Sequence, residues 1–182
     1  MFTKLIDIYK IYFAISLLVA LVLLLGHYND GLLVIILIIV GALLTPFIYE
    51  LDYLLYAYVV DPSAPVSSQL QNLIKGKNYK GAFLYAHENT NDFDSTVFRS
   101  ILMVVSAFGI GFLLIFSPVN ILARSVILSF ILTTIYLEIV SFTDGSWENW
   151  YSFFDTPPKE IYAKVFIGLQ IAVFMVFLFK VL

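Results

Sequence analysis

The sequence predicts an all-α membrane protein: five transmembrane helices with a cytoplasmic helical hairpin between spans 2 and 3. Three observations carry that expectation. Of 182 residues, 61% are hydrophobic and 13% charged, whereas soluble domains are roughly 45–50% apolar and about 25% charged. The apolar residues fall in five long runs, which suits helices and not the alternating strands of an outer-membrane barrel. The ten basic residues divide unevenly between the flanks of those runs. Lys4, Lys10, Lys75, Lys77, Lys80, Arg99, Lys159 and Lys164 share the side of the N-terminus, and only Arg124 and Lys180 lie on the other. Lys and Arg close to a span mark the cytoplasmic face, whereas acids count little. The expectation is a multi-pass protein of the cell membrane, N-terminus cytoplasmic and C-terminus outside.

The first run covers residues 5–25 and is uncharged from Ile11 to its end. No small-x-small cleavage pattern follows it, so it reads as a retained signal anchor. His27-Tyr28-Asn29-Asp30-Gly31 makes a short outer turn in which Gly supplies a positive φ, with His27 expected to be solvated. Span 2 covers residues 32–49, and its apolar character continues to Val60. A helix of that whole length would measure roughly 43 Å at about 1.5 Å per residue, against a hydrocarbon core near 30 Å. Pro46 predicts a kink within it. Glu50 and Asp52 then fall near the inner interface among Tyr49, Tyr53, Tyr56 and Tyr58, the residue type favoured at that depth.

Residues 61–95 form the predicted hairpin. Val66, Leu70, Leu73 and Ile74 have helical spacing, Ser68 with Gln71 reads as a capping box, and Gly76 is the stop. Tyr79, Ala82, Phe83 and Ala86 repeat the spacing after Asn78, a good N-cap. Span 3 is expected over residues 97–116, capped by Asp92, Asp94 or Ser95. Ser117-Pro118-Val119-Asn120 turns the chain outside, and span 4 covers residues 121–140. Residues 142–160, with Trp147, Trp150, Tyr151, Phe153 and Phe154, suit a loop lying in the inner headgroup layer. Asp155-Thr156-Pro157-Pro158 signals the start of span 5, residues 161–182. The organisation is therefore residues 1–60, 61–95 and 96–182.

The polar residues concentrate at the inner boundary. Glu50, Asp52, Glu138, Asp144 and Lys164, with Arg99 and Glu148, read as interfacial charges that are wet and partly paired, Glu138 with Lys164 for example. Their functional reading is a shallow site for a cation, a proton or a headgroup. Ser125, Ser129 and Thr133 repeat at i, i+4, i+8 and read as packing groups before they read as a polar path. Ala107 with Gly111, and Gly168 with Ala172, are small pairs that let helices approach. The absence of cysteine excludes disulfides, thiolate nucleophiles and Cys-ligated zinc. His87, Glu88, Asp92 and Asp94 lack metal-ligand spacing, and no phosphate loop or nucleophile elbow is present. No catalytic residue, metal or cofactor is therefore expected, and a net charge of −3 disfavours nucleic acid. The expected role is structural or interaction-based, as a subunit of a membrane complex. It would contact membrane lipids and bind a protein partner on the cytoplasmic side through Leu73, Phe83, Trp147 and Trp150. The alternatives are a small transporter or ion-translocating subunit, and a membrane enzyme acting on lipid headgroups at the inner acidic cluster. A transporter calls for charge near mid-membrane, which the midpoints of spans 1 to 3 lack.

Overall fold

The structure is a computed structural model that describes residues 2–93 and 96–182. Among the described residues every regular element is helical. The α-helices are α1 (Phe2–His27), α2 (Leu32–Leu55), α3 (Pro65–Lys75), α4 (Tyr79–Glu88), α5 (Ile101–Phe116), α6 (Ile121–Asp144) and α7 (Glu160–Val181). Among the described residues, four helices are long and apolar enough to cross a membrane: α1 from Tyr9, α2 with its extension to Val60, α6 and α7. The fifth expected span corresponds to α5. It has 16 residues, about 24 Å of helix, and falls short of the bilayer core.

Helix α6 is the axis of the fold. It contacts α1, α2, α5 and α7, and 56% of its apolar window is buried, against 22%, 33% and 28% for α1, α2 and α7. Its closest partner is α2, and a series of side-chain to carbonyl hydrogen bonds sets their relation. Ser125 Oγ donates to the Ile38 carbonyl at 2.7 Å, and Ser129 Oγ donates to that of Ala42 at 3.3 Å. In return Thr45 Oγ1 donates to Val126 and the Tyr49 hydroxyl to Phe130. Residue numbers rise together on both helices, so α2 and α6 run parallel. The Ala42 carbonyl is available because Pro46, four residues on, has no N–H to give it. Ser129 takes that place, and α2 continues through Pro46. The hydroxyl stripe of α6 is thus packing glue. Gly41 permits the approach, since a Cβ there would lie 2.7 Å from the Leu122 carbonyl oxygen.

The remaining ends follow local chemistry, with several departures from expectation. Helix α2 passes into a π-helical turn, Tyr56–Val60, closed by the Asp61 N–H donating to the Tyr56 carbonyl. Asp61 Oδ1 then accepts from the N–H groups of Ser63 and Ala64 and from the Ser63 hydroxyl, which shapes the entry to α3. The expected capping box does not form. Helix α3 starts three residues before Ser68, with Pro65 in its first turn, and Gln71 Nε2 donates to the Ala57 carbonyl at 2.6 Å instead. Helix α3 stops at Gly76 as expected, and the left-handed residue of the stop is the following Lys77. Lys77 holds φ 56°, and the Asn78 and Lys77 N–H groups donate to the Leu73 and Ile74 carbonyls. That left-handed conformation costs a non-glycine residue about 1–2 kcal/mol. Asn78 caps α4 as expected, accepting from the Gly81 N–H at 3.0 Å.

Helix α5 begins one turn later than expected. Its cap is Ser100, whose Oγ accepts from the Met103 N–H. Asp92 belongs to a short 3-10 turn, and Asp94 and Ser95 lie outside the described residues. Gly145, at φ 79°, ends α6, and Gly31, at φ 95°, precedes α2. Helix α7 starts at Glu160, within one residue of the start expected after Pro157-Pro158. His27 is not a free solvated side chain. Its Nδ1 lies 2.7 Å from Asp30, and its Nε2 lies 2.9 Å from the Val181 carbonyl, which ties the ends of α1 and α7 together.

Gly41 and Gly168 test the packing in opposite senses. Gly41→Ala drives a methyl into the backbone of α6 and is expected to lower stability by about 1–3 kcal/mol. Gly168 has nothing within 4 Å of its added Cβ, so Gly168→Ala is expected to be neutral or to gain up to about 1 kcal/mol of helix propensity. Thermal unfolding of the two variants in mild detergent reads both.

Candidate functional site

The polar side chains expected at the inner boundary separate into distinct groups. The first is built on Glu50, one turn beyond Pro46 on α2. Tyr9 of α1 donates its hydroxyl to Glu50 Oε1 at 2.5 Å, and His87 of α4 brings Nε2 to 2.9 Å of the same oxygen. The two side chains of that pair are 13% and 11% exposed. An ionised carboxylate only accepts, so the shared geometry assigns the proton on Nε2 to His87. The imidazole is surrounded by the rings of Tyr9, Tyr53 and Phe83, with centroids 5.7, 5.4 and 5.7 Å away. Beside it lies a cavity of about 230 Å³ lined by Leu54, Leu70, Ile74, Tyr79, Phe83 and other apolar surface. Glu50 is the charged group in that lining. Helices α3 and α4 make the wall by packing Leu70, Ala82 and Ala86 against Tyr53, Tyr56 and Ala57 at the end of α2.

The second group starts from Asp52, which is buried. Its Oδ1 accepts from the Phe98 N–H at 2.9 Å, and its Oδ2 has no hydrogen-bond partner among the described residues. Arg99, next along, donates to the Tyr53 hydroxyl at 3.0 Å and lies 5.6 Å from the centre of that ring. Tyr53 therefore joins the first two groups.

The third group is Glu138 on α6, with no exposed surface. Tyr151 donates to its Oε1 at 3.2 Å and Gln170 Nε2 to its Oε2 at 2.6 Å. Burial first, and then the adjacent carboxylate, raise the Tyr151 phenol above its ordinary pKa, so it stays a donor. The expected Glu138–Lys164 pair is absent. Lys164 pairs one turn back with Glu160 at 2.5 Å and lies 5.7 Å from the Phe142 ring centre, out on the exposed side of α7. Asp144 serves its own turn, accepting from the N–H and hydroxyl of Ser146. Glu148 is exposed. The expectation of wet interfacial charges therefore fails for Asp52 and Glu138, which are enclosed and hydrogen-bonded.

The four expected partner-contacting residues are placed differently from one another. Phe83 lines the cavity. Leu73 is partly buried against the α3–α4 cluster. Trp147 stacks on Phe142, with centroids 5.3 Å apart and planes 5° from parallel. Trp150 is buried with Ile101, Val104 and Ala163, while Phe153 and Phe154 are exposed. Sequence reasoning missed Tyr9 and Gln170. Gln170 did carry a signal, as a lone amide within the apolar run 165–178. Tyr9 carried none, because its role depends on which way α1 faces. Among the described residues no three His, Asp or Glu side chains gather as a metal site. What the first group can do chemically is bind: an apolar hollow with one carboxylate at its edge, that carboxylate fixed by a phenol and an imidazole.

Glu50→Ala removes the acceptor shared by Tyr9 and His87 and leaves two enclosed donors unmatched, a loss of about 1–3 kcal/mol. The expected readout is local, with faster amide hydrogen exchange over Tyr79–Glu88 and unchanged exchange in α6. Unchanged protection of α4 would show that the Glu50 cluster does not hold it.

Comparison of the chain with protein-family models, curated proteins and solved structures finds no match, so a functional reading has to rest on the side chains themselves.

Proposed function

We propose that this chain is a five-span integral membrane protein of the cell membrane, N-terminus cytoplasmic and C-terminus outside. On this reading α3 and α4 form a cytoplasmic hairpin, and the protein acts by holding a partner on that face as a subunit of a membrane complex. Two structural relations support five crossings. Helices α2 and α6 run parallel and are separated by α3, α4 and α5, so the chain has to return across the bilayer before α6 begins. Helix α5 is the element available for that return, joined to α6 through a turn of four residues. The ends of α1 and α7 also meet at His27 and Val181, which requires an odd number of crossings when both helices span. The eight-to-two division of basic residues supplies the orientation.

The observation that carries the binding role is the 230 Å³ hollow beside Phe83. It lies where the hairpin meets the end of α2, while the turns on the opposite side, 28–31 and 117–120, are too short to build a site. A second reading, an enzyme acting on lipid headgroups, has the Glu50–His87 pair in its favour, because a carboxylate that orients an imidazole is the usual base arrangement. His87 does not line the hollow, so binding is the stronger reading.

Two experiments test this. The chain has no cysteine, so a single Cys at Asn29 is expected to react with an impermeant thiol reagent from outside the cell, and one at Asn72 only after the membrane is opened. The reverse pattern overturns the orientation. Phe83→Asp is expected to strip a co-purifying partner from protein extracted in mild detergent while membrane insertion is kept. Glu50→Gln is expected to leave any headgroup turnover at background, and turnover in liposomes that this variant abolishes would promote the enzyme reading.

A further inference from the structure

Helix α5 starts late, and the surface beside its inner end is hollow. Between its first turns and those of α7 lies a second cavity, of about 290 Å³, walled by Ile101 and Val105 on one side and Ala163 and Phe166 on the other. Phe154 and Pro158 of the preceding loop close it on the inner side. The slot opens sideways. Val105 is 57% exposed, and on α7 Tyr162 and Val165 are 63% and 55% exposed. Its walls are mostly apolar and carry no charged side chain, and Tyr151, Thr156 and Tyr162 are their hydroxyl-bearing members.

We propose that one acyl chain of an inner-leaflet phospholipid occupies this slot as a structural part of the protein. The inference rests on the five-span reading, and three points carry it. The mouth belongs to the outward faces of α5 and α7, so on that reading the medium at its edge is hydrocarbon. The slot extends along one turn at the inner end of each helix, the depth reached by chains of the inner leaflet. Finally, α5 is about 6 Å shorter than the hydrocarbon core, and a span that falls short obliges the leaflet to thin or to fill the gap beside it. The loop residues Phe154 and Pro158 cover the gap from the headgroup side, which leaves the apolar floor for a lipid chain. A partner protein's side chain is the competing occupant, and the test below separates the two.

The chain's own tryptophans provide the reporter. Trp150 is buried against Ile101 and Ala163, directly behind the slot wall and out of contact with bulk lipid. With Trp147→Phe it becomes the sole tryptophan. Reconstituted into bilayers of phospholipids brominated on the acyl chains, this protein is expected to lose Trp150 emission relative to unbrominated lipid. Val105→Phe and Ala163→Phe, which fill the slot from its two sides, are expected to restore it. Val105 is exposed and accepts the larger ring without repacking, so at least one filled variant keeps the native fold. Emission equal in the two lipids, or an equal loss in the filled variants, overturns the proposal. A slot that stays dark to lipid and empties a bound protein on filling assigns it to a partner instead. Extraction with alkaline carbonate separates this failure from that of the membrane reading: protein retained in the bilayer with Trp150 unquenched removes the lipid alone.

Discussion

The parallel seam between α2 and α6 is the constraint on which the other elements depend. In a bilayer two helices gain little by hiding apolar surface from each other, because the lipid is as apolar as they are. Close contact and shared hydrogen bonds have to supply the association. Gly41 provides the closeness and Ser125, Ser129, Thr45 and Tyr49 the bonds, each directed at a carbonyl of the facing helix. Polar bonds of this kind contribute about 0.6 kcal/mol on average in membrane helices, so the seam works through their number and their common register. Parallel neighbours cannot be joined by a short turn. The chain from Asp61 to Asn120 exists, in structural terms, to bring α6 back to the side where α2 began.

Much of this organisation was legible in sequence because it depends on one-dimensional signals. Apolar runs located α1, α2, α6 and α7 to within a few residues, and Asn78 and Gly31 marked turns whose chemistry is local. The failures share a cause, which is that sequence spacing does not tell which way a helix faces. Glu138 and Lys164 were placed at one depth, and depth alone suggested a pair. Helix α6 turns Glu138 inward to Gln170 while α7 turns Lys164 outward to Glu160. His27 looked isolated because its acceptor lies 154 residues away. The Ser68–Gln71 capping box was a valid local pattern overridden by Pro65, whose ring suits the first turn of a helix and moves the start upstream. Of the candidate site, Glu50 and Phe83 were legible, one as an acid at an interface and the other by helical spacing. Their neighbours Tyr9 and His87 were brought to them by packing of α1 and α4.

Enclosing Asp52 and Glu138 is costly, and each enclosed acid performs a positioning task. Glu138 draws Tyr151 and Gln170 to one point, and so fastens the aromatic loop and α7 to the central helix. Hydrogen bonds of this kind contribute about 0.5–1.5 kcal/mol each, and they add to the packing of Trp150 and Tyr151 against Ile101, Val104 and Ala163. Asp52 acts on the backbone. By accepting the Phe98 N–H it keeps residues 97–100 in a turn, and the helix starts after Ser100 rather than at Val97. Tyr53, the next residue, receives Arg99 from the same turn. One end of α2 thus determines where α5 is allowed to begin.

That boundary has consequences for the surface on both sides of α5. Had α5 begun at Val97, it would have gained about 6 Å and come closer in length to α6 and α7. Beginning at Ile101, it leaves its inner end undercut. A cavity of about 290 Å³ opens toward α7, and a larger one of about 440 Å³ opens toward Val60, with the adjacent Phe154 and Phe153 at their edges. The aromatic loop is therefore a cover for the short helix. The same turn that shortens α5 also positions Arg99 against Tyr53, and Tyr53 walls the hollow beside Glu50 and Phe83. The start of α5 and the hollow beside Glu50 are consequently coupled through Tyr53. A change that lengthened α5 would withdraw the Phe98 and Arg99 contacts from the end of α2 and loosen the packing of α3 and α4 that rests on it.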